Sequence, residues 1–412
     1  MPTRLGSRVG QTSQGAPSDI RQAVHRLHGS VILPAVDGEQ RGGMKTLVLG
    51  GYGNFGARIC RALASDPDIQ VIVAGRDAVQ AQQLADSLGG RATAQAIDGA
   101  APDLADRLRA LDIGLVIHVA GPFQQQSYGV ALAAARADAH YIDLADGRRF
   151  VCDFPQAVHS HFQDNGCIGI TGASTVPALS SAVIEHLCAG WQSIDTVDIC
   201  IAPAQTAPRG RATLAAVLSY CGEPIPVWRD GQWVQAIGWA EPERVTFKRL
   251  RPRIGALCDI PDLELIPARY AVRERVMFRA ALEVAASQRV FAWLAALRRI
   301  GLLKRPERLA GALNRVAGLL DGLGTSLGGM VVRVQGTDAA GQPARRAWHI
   351  AADDDHGPEI PCMAAIVLAR KLAAGEAMTP GACTATGLLS LDEFAPLFAR
   401  WGMITDIVDE TA

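Results

Sequence analysis

A chain of 412 residues is long enough for two or three domains, and with 49% hydrophobic residues it can bury a large core. Its formal net charge is −1 and no basic face stands out, which argues against nucleic acid as a partner. The nine cysteines form no C-x-x-C pair and no metal-site spacing; their odd count and apolar neighbours point to buried thiols in a reducing cytoplasm.

Residues 1–43 are rich in Gly, Ser, Gln and Arg and show little periodicity. The apolar stretch Val31–Val36 is too short for a signal-peptide core. The segment reads as a disordered extension, or as sequence upstream of a true start at Met44.

From residue 45 the pattern alternates between strand and helix. Strand 45–50 runs into Gly51-Tyr52-Gly53-Asn54-Phe55-Gly56 and a helix at 55–65. Gly51, Gly53 and Gly56 spell G-x-G-x-x-G between a strand and a helix, the setting in which the pattern signals a dinucleotide. The first glycine permits a tight turn, the second lets backbone approach a pyrophosphate, and the third lets helix pack on strand. The helix N-terminus then offers amides and a positive dipole end to phosphate. Strand 69–74 and helix 77–88 follow, with Asp77 as N-cap. Next come strand 92–97 ending at Asp98, helix 102–110 and the all-apolar strand 115–120. Helix 127–138, strand 140–144, helix 148–165 and strand 167–171 complete a series that predicts an α/β fold with a doubly wound parallel Rossmann sheet. Ligands of such sheets sit at the carboxyl ends of the strands.

Beyond residue 172 the texture changes. A helix near 176–190 and a strand at 194–203 lead into a Pro-, Trp- and Gly-rich region with candidate strands at 225–229, 232–238 and 243–250. A helical stretch is expected over 276–322, broken near Gly301 and Pro306. Strands 328–336 and 345–352 suit an antiparallel hairpin, and helices 358–374 and 391–400 end the chain. The reading is therefore a dinucleotide-binding domain at 44–172, a mixed α/β substrate domain at 173–352, and C-terminal helices at 353–412 packing back on the first domain. Arg279, Glu283, Arg289, Arg298, Arg299, Lys304 and Arg305 interrupt the apolar stretch 276–322, so it cannot span a membrane. It can pack on the second domain, lie on a membrane surface, or face the partner in a homodimer.

The end of the second strand selects the cofactor. NAD-binding versions place an acidic residue there to grip the ribose hydroxyls. Here the strand ends Val73-Ala74-Gly75-Arg76, and a guanidinium suits the 2′-phosphate of NADP. Asp77 is better explained as a helix cap, so NADP(H) is favoured over NAD. Asp98 is expected near the adenine, with a cap as its alternative. Ala120, Gly121, Pro122 and Phe123 would pass the ribose and nicotinamide, where small residues allow close approach.

Several segments resemble the saccharopine dehydrogenase (reductase)-like oxidoreductases. They are Gly50–Cys60, Ala74-Gly75-Arg76-Asp77, His118–Phe123, His140–Leu144 and Thr171–Pro177, with Gly387–Phe394 similar to the end of bacterial members. The resemblance covers roughly residues 45–185 and is loose beyond. It implies an NADP-type Rossmann domain, a second α/β domain, C-terminal helices folding back, and hydride chemistry at a C=N or related bond. The family holds amino-acid and polyamine reductases and lipid-linked reductases, so the cofactor half does not name the substrate. Short-chain dehydrogenase chemistry needs Tyr-x-x-x-Lys, and no tyrosine here has that lysine.

Outside the cofactor loop, Tyr141 and Asp143 end a strand on the ligand edge, where either can position substrate or relay a proton; bracing the next helix is the plainer alternative. Ser174 and Thr175 read as N-caps, or as an anion site for a substrate carboxylate or the nicotinamide carboxamide. Arg209 and Arg211 can clamp a carboxylate or simply be solvated. His356 is a weaker acid–base candidate. His159 and His161 are two apart on a helix and so cannot share a metal. The expected activity is an NADP(H)-dependent oxidoreductase acting on a small substrate. A membrane-surface reductase of a lipid and a non-catalytic dinucleotide-binding regulator are the alternatives.

Overall fold

The computed structural model describes residues 43–410 apart from Arg209. The extension 1–42 and the side chains of Arg209 and Arg211 lie outside what it describes.

The first half is built from strands β1 (Met44–Leu49), β2 (Ile69–Gly75), β3 (Ala92–Ala96), β4 (Leu115–His118), β5 (His140–Asp143) and β6 (Ile168–Thr171). Helices α1 (Asn54–Leu63), α2 (Ala78–Ser87), α3 (Leu104–Ala110), α4 (Gly129–Arg136) and α5 (Arg148–Asp164) connect them. All strands pair in parallel, in the order β3-β2-β1-β4-β5-β6. Every residue of β4 is buried, because helices cover both faces of the sheet. Val48, Ile59, Leu63, Val73 and Ile117 fill one face; Leu47, Leu108, Val116, Tyr141 and Phe154 fill the other. The strand expected at 115–120 stops at His118, and Ala120 is exposed.

After β6, a kinked turn at Thr175–Leu179 leads into α6 (Ser180–Leu187). The second sheet then takes β7 (Ser193–Ala202), α7 (Arg211–Tyr220), β8 (Pro224–Arg229), β9 (Gln232–Ile237), β10 (Glu243–Val245), β11 (Arg253–Leu257), α8 (Asp262–Tyr270) and β12 (Arg275–Ala280). The helical arm α9 (Ala285–Arg299) and α10 (Ala310–Leu319) follows. Strands β13 (Gly328–Thr337) and β14 (Pro343–Ala352) complete the central part of this sheet. Its path is β10-β11-β12-β7-β13-β14-β16, with β8 and β9 as a side hairpin and β16 (Ile404–Asp409) at the far edge. Only β7 and β12 run parallel; the other neighbours are antiparallel.

Two expectations need correction here. Residues 275–280 form a strand, not the start of a helix: β12 sits centrally between β7 and β11, where a short apolar run buried on both faces lacks period-2 alternation. The chain also does not end in a helix, because β16 follows α12 (Leu391–Arg400).

Between those elements the chain returns to the first sheet. Helix α11 (Ile360–Ala373) buries nine side chains, an apolar girdle that needs cover on several sides. It lies against α1, with Arg58 paired to Glu359 at 2.9 Å and Arg370 to Asp66 at 3.2 Å. Strand β15 (Gly381–Thr384) then pairs in parallel with β6 and becomes the seventh strand of the first sheet.

Candidate active site

The parallel sheet gathers the loops after β1, β2, β4, β5 and β6 along one edge. The glycine loop is the tightest of them. Gly50 adopts φ +84°, and both Gly50 and Gly51 donate their amides to the Ala74 carbonyl. A Cβ on Gly56 would sit 2.2 Å from the Gly50 carbonyl oxygen, and one on Gly51 would sit 2.8 Å from the Val48 oxygen. These two glycines are therefore demanded by the backbone's own packing. Gly53 is different: it is exposed, and a Cβ there would meet only the Gly50 oxygen at 3.1 Å. Gly53 is also the N-cap of α1, with no capping side chain and no acidic residue in the first turn. The first amides of the helix are thus free of side-chain acceptors and face an uncovered position, which fits a pyrophosphate.

Tyr52 and Gly75 form a pair. A Cβ on Gly75 would lie 2.4 Å from the Tyr52 ring, so the missing side chain is what lets the ring lie flat across the end of β2. The Tyr52 hydroxyl accepts the Asp77 amide at 3.1 Å. Asp77 is committed to its own helix: one carboxylate oxygen accepts the Val79 and Gln80 amides and the other the Gln80 side chain. These contacts hold its carboxyl below the usual range, the Gln80 side-chain bond foremost. Arg76, beside it, is exposed and has no ion pair or hydrogen bond among the described residues. Asp98, also exposed, accepts the Ala100 amide and closes a turn after β3.

The loop after β4 is braced by Gln126, whose amide donates to the Ala120 and Pro122 carbonyls at 2.7 and 2.8 Å. A Cβ on Gly50 would lie 3.1 Å from the Ala120 nitrogen, so the first and fourth strand ends nearly touch. Ala120 and Pro122 are exposed and Gly121 is partly so, whereas Phe123 turns inward onto His118 and Phe150.

Tyr141 and Asp143 do not reach the surface. The Tyr141 ring is fully enclosed against Phe154, and its hydroxyl meets His118 Nδ1 at 3.0 Å. Burial pulls the His118 pKa down to about 4, so the imidazole is neutral. One oxygen of Asp143 accepts the Thr171 hydroxyl and the Gly172 and Ala145 amides; the other is buried without a partner. Burial outweighs these bonds and pushes the Asp143 carboxyl up to about 6. These groups join β4, β5 and the turn after β6 from inside the wall rather than facing a ligand. Ser174 is half-exposed and stands at the N-cap position of the turn Thr175–Leu179, as expected, but its side chain makes no capping bond among the described residues. Its hydroxyl is left free at the strand edge.

The second sheet meets this edge along a seam that no local motif announced. Arg148, at the start of α5, is buried and reaches Asp259, Glu264 and the Pro226 carbonyl at 3.2, 3.1 and 2.7 Å. Its neighbour Arg149 also pairs with Glu264. Beside them, Asp146 accepts Gln124 Nε2 at 3.1 Å, and burial raises its pKa. Burial also raises Tyr220 well above its ordinary range, and the nearby Asp146 and Asp259 charges add to the rise. Asp146, Tyr220 and Asp259 are thus three half-buried titratable groups, each raised by burial, where the two substructures meet. At the other end of the edge, Asn54 donates to the Pro208 carbonyl at 3.2 Å, which brings the segment after β7 beside the start of α1. His356 is turned away from these strand ends, its ring on Trp401 and its Nδ1 at the Trp401 carbonyl. His159 is bound to the backbone of Ala382.

Comparison with known proteins agrees with this geometry. Residues 46–182 match the saccharopine dehydrogenase NADP-binding domain family. No curated protein sequence matches the chain. Among solved structures, the apo saccharopine dehydrogenase (L-Glu forming) of Saccharomyces cerevisiae superposes with a TM-score of 0.64 at 13% identity, covering 90% of this chain and 100% of that one. The homospermidine synthase of Legionella pneumophila, solved with NAD, gives 0.62 at 9% identity, covering 89% and 91%. At such identities the likeness is one of fold.

Proposed function

With residues 46–182 a saccharopine dehydrogenase-type NADP-binding Rossmann domain, we propose that this oxidoreductase is NADP(H)-dependent, cytoplasmic, and specific for a C=N or C=O bond of a small, carboxylate-bearing substrate. The observation that carries the cofactor choice is the pair Arg76 and Asp77. The carboxylate that would grip a ribose diol is spent on capping α2, while the adjacent guanidinium is exposed and unpaired. That arrangement favours a 2′-phosphate. Nine free cysteines, none of them exposed, support the reducing compartment.

A bound nicotinamide supplies the hydride; the chain's own residues bind, orient and exchange a proton. Gly51, Gly53, Asn54, Phe55 and Gly56 present the helix amides to the pyrophosphate. Gly75 and Arg76 receive the adenosine end, with Asp98 next to the adenine. Ala120, Gly121 and Pro122 form the floor beneath the nicotinamide, with the buried Phe123 ring packed behind them. Tyr141 and Asp143 act as positioning residues that fix the β5 and β6 ends, and the free Ser174 hydroxyl binds substrate. Asp146, whose carboxyl burial raises above its ordinary range, is the titratable group placed at the seam for proton exchange.

Titration of the protein with NADPH and NADH tests the cofactor half. NADPH should bind at least about tenfold tighter, and Arg76→Ala should weaken NADPH by about 10- to 100-fold while NADH changes little. Equal losses for both would remove the role given to Arg76. In a substrate screen that follows NADPH oxidation, Asp146→Asn should lower kcat about 100-fold with NADPH affinity kept. An unchanged kcat would move the proton donor elsewhere, and no turnover of any imine or carbonyl acid would leave a dinucleotide-binding regulator.

A further inference from the structure

Among the described residues no helix is long and apolar enough to cross a membrane. Among the described residues, most of the exposed large apolar side chains lie on the arm formed by α9, α10 and the loops after each. Trp293 is 63% exposed, Ile300 68%, Leu302 75%, Val316 53%, Leu319 84% and Leu323 72%. Single exposed apolar residues are ordinary; eight between Val290 and Leu323 are not. The same stretch carries six exposed cations, Arg289, Arg299, Lys304, Arg305, Arg308 and Arg315, and none pairs with a carboxylate among the described residues. Arg298, on the inner side of α9, shows the contrast: it is held by Glu223 at 2.6 Å and by three carbonyls.

At 100° per residue the faces of α9 fall in order. Phe291, Leu294 and Ala295 point into the core. Ala285, Ala292, Ala296 and Arg299 form the next stripe, which lines an open cavity of about 510 Å³ whose other walls include Ile237, Trp239, Ile254, Arg253 and Glu283. Trp293 and Ile300 form the stripe after that, so the exposed apolar surface begins where the cavity wall ends.

We propose that this arm docks on an anionic phospholipid surface, with its apolar side chains at the acyl boundary and the cations at the headgroups. Tryptophan among aliphatic residues, fringed by unpaired arginines, is the composition of interfacial helices. Charge decides between this occupant and a second copy of the chain. A two-fold contact would set the patch against itself and bring the same cations face to face, whereas anionic lipid complements them. The cavity mouth would then lie at the membrane surface.

The full-length protein is sedimented with phosphatidylcholine vesicles containing about 30% phosphatidylserine, and with vesicles of phosphatidylcholine alone. Binding to the anionic vesicles should be at least about tenfold stronger and should weaken with added salt. Two variants, Trp293→Ser/Leu319→Ser/Leu323→Ser and Arg305→Glu/Arg308→Glu/Arg315→Glu, should each lose about tenfold or more with unchanged circular dichroism. Absence of wild-type binding overturns the proposal, as does binding that both variants retain. A wild-type dimer that the apolar variant converts to monomer, with no vesicle binding in either, assigns the patch to self-association instead.

Discussion

The two sheets of this molecule bring side chains to a site in opposite ways. In the seven-stranded sheet every strand runs the same direction, so all carboxyl ends, and the loops that leave them, lie on one edge. In the other sheet β7 and β12 are the one neighbouring pair that runs parallel, the remaining neighbours being antiparallel, and strand ends are divided between two edges. Apart from the Pro226 carbonyl of β8, what that sheet contributes to the seam comes through connections: Tyr220 from the end of α7, Asp259 from the turn before α8, Pro208 from the segment after β7. A parallel sheet thus builds a site from contiguous sequence around each strand end. A mixed sheet builds one from residues that meet only in the folded chain.

The first way to break this comparison is at the strand-end backbone. Gly56→Val places carbon where the Gly50 carbonyl already stands, with the Gly51 Cα at 2.8 Å, and neither atom can move without displacing β1 or α1. Dinucleotide binding should fall by more than about 100-fold, the largest effect expected here. Gly53→Ala is the contrasting change. It meets one oxygen at a tolerable distance, so thermal stability should hold within about 1 kcal/mol while NADPH affinity drops about tenfold. If titration shows the two variants equally impaired and equally unstable, the exposed glycine has no ligand role of its own.

The same contrast governs how much was legible. The strands β1, β2 and β4 are apolar runs bounded by glycine or aspartate, and each shows in the sequence within a residue or two of its place. Gly51, Gly53, Gly56 and Arg76 are likewise local features, because the chemistry of a strand-to-helix turn is written in consecutive residues. Arg275–Ala280 was hidden because a doubly buried strand beside an apolar helix has the helix's composition. Gly381–Thr384 was hidden because an edge strand of four small residues looks like a linker. The grouping of Asp146, Tyr220 and Asp259 has no signal in sequence at all, since nothing local relates a β5 loop to the ends of α7 and β11. Tyr141 and Asp143 were visible as polar groups on the right strand, but alternation cannot tell a residue facing a ligand from one sealed inside the wall.

Arg148 sharpens the comparison at the seam itself. It is the buried hub between the substructures, and its removal strands Asp259 and the Pro226 carbonyl. Arg148→Ala should cost about 3 kcal/mol in chemical denaturation, because breaking one side of a buried pair leaves the other uncompensated. Arg149→Ala, just over a quarter of a turn away and more than half exposed, removes a partner of the same Glu264 and should cost under about 1 kcal/mol. Equal losses would mean that the seam is held by surface charge rather than by the buried guanidinium.

The smallest expected effect is set by pH. Asp262, at the start of α8 behind the seam, is completely buried with neither carboxylate oxygen hydrogen-bonded. Burial pushes its pKa up to about 7. A carboxyl whose folded pKa lies above its unfolded value of about 3.9 stabilises the fold fully below pH ~4. That contribution is lost as pH rises through ~7, at up to about 1.4 kcal/mol per unit. His118 works in the other direction: its pKa is pulled down to about 4, so its contribution is present above its unfolded value of about 6.5 and fades on acidification. The two trends overlap between pH 4 and 7, which is why the wild-type profile alone cannot separate them. Asp262→Asn keeps the shape and removes one of them. The difference in stability between variant and wild type, measured by denaturation at pH 5 and pH 8, should therefore shift toward the variant by about 1–3 kcal/mol at the higher pH. A constant difference across that range would mean that Asp262 is not carrying its charge inside the fold, and that the start of α8 opens to water before the seam does.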